Sequence, residues 1–320
     1  MRPTRIAVTV SAIAAAMFAV SGPARADQAT GNGRQQAMAS TVVYTLDSST
    51  HGNPEGVAWD GRHFYVGATG DGTIYRGTLG DRTVHTFIKG KPGRSSVGLK
   101  TFNGRLYVAG GMTGKIFVYD LSDPDDRPIV LNTGTGGFLN DLVVTGKGDV
   151  YVTDSFRPTL WHVAAGQVRK GGSVEAIPVS PEIRYTANAF NLNGIVSFNN
   201  GRELVVVNTA DGRLYRIRFD RMGGRTITGV DAQPLVGGDG MIVEDGKLIV
   251  VRGNPASLTF LKLNEGRSLA RIVNMVTDPS LRGPSTVAAA GRRYLVVNAD
   301  FASSRKPFTV SGLPRQDNED

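Results

Sequence analysis

Cysteine is absent from this 320-residue chain, which excludes disulfides, thiol catalysis and cysteine-ligated zinc. Stability must come instead from packing, strand closure or a bound metal. Histidine is scarce: His51, His63, His85 and His162 are scattered along the sequence, too thinly spread for a histidine cage around a redox metal. Beyond the first twenty residues no apolar run approaches the roughly 20 residues that a membrane-spanning helix needs. Long stretches with apolar residues at i, i+3, i+4 and i+7 are also missing, while 41 glycines punctuate the chain, so helices are not expected to carry the fold. A concentrated block of positive charge is lacking too. Of the net charge of +8, Arg2, Arg5 and Arg25 supply three, leaving +5 spread over the remainder, and nucleic acid is not an expected partner. The densest basic run, Arg213 to Arg225, places Tyr215, Ile217 and Phe219 in alternation with Arg216 and Arg218. That is the period of a half-buried strand with a solvated arginine face.

Two basic residues, Arg2 and Arg5, precede an apolar stretch from Ile6 to about Val20, followed by Ala24-Arg25-Ala26. This order is that of a secretory signal peptide over 1–26, cleaved after Ala26. No adjacent arginine pair precedes the apolar stretch, which favours the general secretory route. The expected product is a secreted chain, extracellular or periplasmic, without a transmembrane segment. Residues 27–40 and 316–320 are expected to be flexible ends, and 41–315 the folded domain.

Within that domain one hairpin grammar recurs. A short apolar strand leads through a tight polar turn into a β-rich strand, then another turn and strand. The second strands are Phe64-Tyr65-Val66, Leu106-Tyr107-Val108, Val150-Tyr151-Val152, Leu204-Val205-Val206, Leu248-Ile249-Val250 and Tyr294-Leu295-Val296. Copies start at Val57, Val97, Leu142, Ile195, Met241 and Val287, in steps of 40, 45, 53, 46 and 46 residues. Four short strands and their loops need about this length, so the pattern predicts an all-β, six-bladed β-propeller. The segment Thr41 to Leu46 precedes the first copy and is expected to supply an outer strand to the last blade, closing the ring and removing free sheet edges.

Function must come from the loops that lead into the innermost strands, which converge at the channel mouth. Four of these entries carry an oxygen-bearing side chain just ahead of the strand: Glu55 in Asn53-Pro54-Glu55-Gly56, Asn140 in Leu139-Asn140-Asp141, Asn193 in Leu192-Asn193-Gly194, and Asp239 in Gly238-Asp239-Gly240. Asn-Gly and Asp-Gly are also common turns. Turns, however, belong between strands, as at Asp71-Gly72, and Glu55 is not a turn former. Two carboxylates and two amide oxygens around one axis make a hard-oxygen site suited to Ca²⁺ or another divalent cation, which takes about six to eight oxygen ligands.

At these residues the sequence resembles the calcium-dependent six-bladed propellers that include gluconolactonase and regucalcin, diisopropyl fluorophosphatase and, more distantly, paraoxonase. The resemblance implies Glu55, Asn140, Asn193 and Asp239 as calcium ligands, and a small-molecule substrate. It departs from the sugar-lactone members where they place an arginine two residues before the ligand asparagine; Phe138 stands there. The expected activity is hydrolysis of a lactone or related ester at the channel mouth, with Asp239 or Asp141 taking the proton from water. The alternative is a non-catalytic binding propeller with a structural calcium ion. Phe138, Phe156 and Phe190 near the mouth suit an apolar ligand under either reading. His51 reads as a bystander, His162 as a strand residue, and Thr133-Gly134-Thr135-Gly136-Gly137, which lacks a lysine and a following helix, as a flexible mouth loop.

Overall fold

β-Branched and aromatic residues alternating with glycine and Asx turns leave little but strand, and strands are what the chain forms. The computed structural model describes residues 40–125 and 127–315, which form one compact unit. The expected signal segment and most of the two flexible ends lie outside the described residues.

The chain runs as a series of antiparallel meanders. The first comprises Pro54–Trp59, Phe64–Ala68, Ile74–Gly77 and Thr83–Ile88. The second runs Leu99–Phe102, Arg105–Ala109, Lys115–Asp120 and Ile129–Asn132, with Gly172–Ser173 added in parallel at its edge. Leu139–Val144, Val150–Asp154, Thr159–Val163 and Glu175–Pro178 follow, interrupted by a helical turn at Ala165–Val168. Then come Leu192–Phe198, Glu203–Asn208, Leu214–Phe219 and Arg225–Gly229, and next Gly238–Glu244, Lys247–Arg252, Ser257–Leu263 and Ala270–Val276. The last meander has three strands from the C-terminal part, Pro284–Ala290, Arg293–Asn298 and Thr309–Pro314. Its fourth is Val42–Leu46, which pairs antiparallel with Thr309–Pro314, Val42 opposite Gly312. Val42–Leu46 also touches the first meander in parallel, Thr45 beside Thr83 and Leu46 beside Val84, which fuses first and last meanders into one eight-stranded sheet. The expected closing role of this segment is thus met.

The first strand of each meander packs beside the first strand of the next: Pro54–Trp59 against Leu99–Phe102, then Leu139–Val144, Leu192–Phe198, Gly238–Glu244, Pro284–Ala290 and back to Pro54–Trp59. This closed cycle of inner strands surrounds an axis, and the apolar core lies between successive sheets rather than at one centre. Each seam is a separate cluster; that between last and first meanders packs Tyr44, Phe64, Tyr75, Leu295 and Phe308. The architecture is that of an all-β propeller. Among the described residues no helix is long and apolar enough to cross a membrane.

Candidate functional site

Five inner strands carry the same irregularity near their starts. Pairing with the second strand jumps between Pro54 and Val57, Leu139 and Leu142, Leu192 and Ile195, Gly238 and Met241, and Pro284 and Val287. In each case one extra residue is accommodated, a β-bulge, which re-aims side chains out of the regular alternation. The bulged pairs are Glu55-Gly56, Asn140-Asp141, Asn193-Gly194, Asp239-Gly240 and Ser285-Thr286. The four oxygen-bearing residues singled out from sequence therefore do not sit in loops ahead of the strands. They occupy equivalent positions within them, where the bulge turns them toward the axis. In the second meander the equivalent residue is Val97, as the glycine contacts show.

The glycines that follow four of these residues are there for space. A Cβ on Gly56 would lie 2.1 Å from the carbonyl oxygen of Val97, and one on Gly194 2.2 Å from that of Asp239. On Gly98 it would lie 2.6 Å from the Asn140 carbonyl oxygen, which also accepts the Gly98 N–H at 2.8 Å. Neighbouring inner strands thus approach so closely that only glycine fits, and each presses on the backbone of the next site residue. The third and sixth strands carry Asp141 and Thr286 at this position instead.

Glu55, Asn140, Asp141 and Asn193 are buried, and Asp239 is half-buried with its Oδ1 shielded from solvent. Burial of an unpaired polar atom is costly, and native proteins contain few. Among the described residues seven buried side-chain polar atoms lack a hydrogen-bond partner, and four are here: Glu55 Oε2, Asp141 Oδ2, Asn193 Oδ1 and Asp239 Oδ1. All four are acceptors. Two of the other three, Glu203 Oε1 and Arg216 Nε, face each other at 3.5 Å. The concentration of orphaned acceptors calls for a cation or donor. Cationic charge is provided only in part, by Lys100 from the neighbouring inner strand, whose Nζ lies 3.0 Å from Asp141 Oδ1. The Leu142 N–H also donates to Asp141 Oδ1 at 2.8 Å.

The carboxylates perturb one another. Burial, then the charges of Asp239 and Asp141, push Glu55 well above the ordinary carboxylate range, with Lys100 opposing. Burial, then Asp141, push Asp239 up to about 8, against hydrogen bonds from the Asn193 side chain and the Gly240 backbone. Two such carboxyl groups side by side are a frequent mark of a functional centre. The structure therefore brings Glu55, Asp141, Asn193 and Asp239 into one electrostatic unit. Asn140 joins it through the backbone; its Nδ2 donates to Ser155 Oγ at 2.9 Å, and Ser155 in turn donates to the Leu192 carbonyl at 2.7 Å. Thr286 donates a long hydrogen bond of 3.5 Å to Glu55 Oε1, and Ser285 donates to the Glu55 carbonyl at 2.7 Å.

Among the described residues no group of three or more His, Cys, Asp or Glu side chains is arranged to hold a metal ion by itself. Any cation here would depend on the amide oxygens as well. The donor set fits a hard cation: every orphaned atom is oxygen, and no imidazole or thiolate is near. Lys100, Thr286 and the spacing role of Gly56, Gly194 and Gly240 escape sequence reasoning. The recurring residue-Gly pair was the available signal. His51 donates or accepts at 2.7 Å with Asp71 and packs on Tyr75, away from this unit, and His162 pairs with Glu175 and stacks on Tyr151. The glycine-rich loop is tied by Arg157, which donates to the carbonyls of Thr133 and Thr135.

A closed cycle of meanders with polar residues at equivalent places on its inner strands defines a propeller with a candidate site at those strands. No protein-family model and no curated protein sequence matches this chain. Solved structures share its fold. A luciferin-regenerating enzyme superposes with a TM-score of 0.58 at 16% identity, over 85% of this chain and 95% of that one. Virginiamycin B lyase from Staphylococcus aureus gives 0.55 at 10% identity, over 87% and 99%. The periplasmic gluconolactonase of Pseudomonas aeruginosa gives 0.51 at 14%, over 70% of each chain.

Proposed function

We propose that this chain is an exported six-bladed β-propeller that hydrolyses a lactone or related ester at its channel mouth with the aid of a divalent cation, Ca²⁺ first among candidates. The reading rests above all on the four orphaned buried acceptor oxygens gathered at equivalent bulges. The blade count is supported by the cyclic order of inner strands, and the substrate class by the gluconolactonase among its structural neighbours. The signal-like order of residues 1–26 supports export, and a secreted product starting at Asp27 by mass spectrometry is the expected outcome; a chain retaining Met1 would refute it.

Glu55, Asn140, Asn193 and Asp239 would hold the cation. When bound, it supplies positive charge for the carbonyl oxygen of the ester as negative charge develops there. Asp141 is held by Lys100 and the Leu142 N–H, which suits it to balancing charge rather than moving protons. Asp239, like Asp141, keeps one oxygen without a hydrogen-bond partner, but it lacks the Lys100 contact that Asp141 has and its affinity for protons is raised, so it is assigned as general base. It takes a proton from water as the water oxygen attacks the carbonyl carbon. The C–O bond of the ester then breaks, and the proton passes to the departing alkoxide, leaving a hydroxy acid from a lactone.

The test is turnover of a panel of simple lactones and aryl esters, with and without chelator. Turnover abolished by chelator and restored by Ca²⁺ is the expected result. A chelator-induced fall in melting temperature with no turnover of any substrate would sink the hydrolase reading and favour a binding propeller with a structural ion.

A further inference from the structure

The polar site has an apolar neighbour that the hydrolytic reading leaves unused. Phe138, Phe156 and Phe190 form a three-ring cluster, with centroids 5.5 Å apart for Phe138–Phe156, 5.1 Å for Phe138–Phe190 and 5.2 Å for Phe156–Phe190. Their packing would normally hide them, yet Phe156 is 42% and Phe190 45% exposed. Isolated exposed apolar residues need no explanation, but a contiguous aromatic patch does.

This patch is built onto the site. Phe138 lies two residues before Asn140, and Phe190 three before Asn193. Phe156 follows Ser155, whose hydroxyl accepts the Asn140 amide hydrogen bond. Toward the axis, a Cβ on Gly111 would lie 3.5 Å from the Phe138 ring and 3.1 Å from Val97 Cγ2, so that ring and Val97 flank the same glycine. Val97 is the one apolar residue at the axis-facing position that elsewhere carries Glu55, Asn140, Asn193 or Asp239. The oxygen-bearing positions Asn140 and Asn193 are therefore flanked by an apolar strip made of Val97 and the three rings.

The backbone beneath the rings is clamped by buried polar groups. Asp154, fully buried, accepts the N–H groups of Phe138 at 2.9 Å, Phe156 at 3.1 Å and Arg157 at 3.0 Å. It is fixed in turn by the Arg157 guanidinium at 2.7 Å and the Trp161 indole N–H at 3.1 Å. Asn191, next to Phe190, is buried and donates to the carbonyls of Ser155, Ala189 and Thr186. Holding these three aromatic side chains, two of them exposed, on so constrained a backbone lowers the ordering cost of anything that binds them.

The geometry points to this cluster as the subsite for the acyl chain or aryl group of the substrate, making the preferred substrate an apolar ester or lactone with a medium-length alkyl or phenyl substituent rather than a polyol. The inference rests on the hydrolase reading for its reaction, and on the aromatic cluster for its specificity. A carbonyl seated at the oxygen-bearing positions would lay its apolar substituent over Val97 and the rings.

The experiment compares γ-decalactone with γ-butyrolactone in kcat/KM, and separately titrates the protein calorimetrically with 4-phenyl-2-butanone, a ketone with no ester bond to cut. The variants are Phe156→Ala with Phe190→Ala, both exposed positions, and Met222→Ser, an exposed methionine on a distant turn, as control. The longer lactone is expected to be preferred about 30-fold, the equivalent of two to three buried methylenes at about fourfold each. In the double variant that ratio should fall at least about tenfold, and the control should keep it. Hydrolysis without chain-length preference, or a preference that survives the double variant, overturns the subsite and leaves the hydrolase reading standing. Ketone binding that the double variant abolishes, in a protein that turns over no ester, supports the subsite and removes the hydrolase reading. Ketone binding absent or unaffected, again without turnover, overturns both.

Discussion

Four residues illustrate how much of a site a sequence can reveal. Glu55 stands out because it is not a turn former, and Asn140, Asn193 and Asp239 because they recur at one place in the repeat. Their placement around one axis is legible from the repeat, whereas the bulges that hold them within the strands are not, because a period-two pattern cannot disclose them. Lys100 was invisible for a related reason: in Leu99-Lys100-Thr101-Phe102 it reads as an ordinary outward strand residue, and only the packing of neighbouring inner strands brings it to Asp141. At the residue scale, Glu55→Gln keeps size and a carbonyl oxygen but removes a charge, as does Asp239→Asn. Each is expected to weaken Ca²⁺ binding by at least about tenfold, the cost of one charged ligand partly compensated. Titration calorimetry showing unchanged affinity in both would remove the metal site. The same carboxylates set a pH dependence. Glu55 and Asp239 have folded-state pKa values raised above those of the unfolded chain, Asp239 to about 8. The fold therefore binds their protons more tightly. The stabilising contribution of Asp239 is complete below its unfolded value of about 4 and is lost as pH rises through about 8, and that of Glu55 is lost in the same direction. Chelator-treated protein should melt at progressively lower temperature over that window, Asp239→Asn should flatten the profile, and added Ca²⁺ should reverse it by favouring the ionised forms. A melting temperature that rises over the same window would contradict the assignment.

At the scale of the element, strands were legible from alternation and turn residues, and the outer strand from Thr41 to Leu46 from its position ahead of the first repeat. The helical turn Ala165–Val168 and the parallel addition Gly172–Ser173 were not, being too short to carry a period. The inner strands hold the most information per residue, because each must bulge, approach its neighbour and present a polar group at once. Gly194 shows the constraint. Its missing Cβ leaves room for the Asp239 carbonyl, so Gly194→Ala must displace either its own strand or the backbone that aims Asp239. Overpacking of this kind costs about 1–3 kcal/mol or more, and here it should also lower Ca²⁺ affinity, because the displaced atom belongs to a site residue. Gly166 is the control: an added Cβ there meets nothing within 4 Å, and Gly166→Ala should be neutral or stabilising by up to about 1 kcal/mol. Denaturant midpoints and calcium titrations of the two variants separate the effects. Equal midpoints would mean that the inner strands are less tightly apposed than the geometry requires.

At the scale of the molecule, the fold has no centre of its own to hold it together; its core is divided among the seams between sheets. A ring of this kind is secured only where its two ends meet, and that junction is one strand, Val42–Leu46. It pairs with Thr309–Pro314 on one side and touches Thr83 and Val84 on the other. Tyr44 is the anchor, fully buried, edge-on to Phe64 with centroids 5.2 Å apart, and donating its hydroxyl to the Leu79 carbonyl at 3.2 Å. Tyr44→Ala should therefore cost about 3–5 kcal/mol, as for other large buried aromatics. Deleting the strand altogether, with the chain restarted at Asp47, goes further. It would bare the edge of Thr309–Pro314, a ready template for association, and would let the first and last sheets separate. Closure also sets the circle on which Glu55 and Ser285 meet, since Ser285 donates to the Glu55 carbonyl across the junction. The truncated protein should thus unfold in a broader, earlier transition, self-associate on size-exclusion chromatography, and bind Ca²⁺ more weakly although every site residue is retained. A monomer with one sharp transition at the original midpoint and unaltered calcium affinity would show that the ring is held by its seams alone.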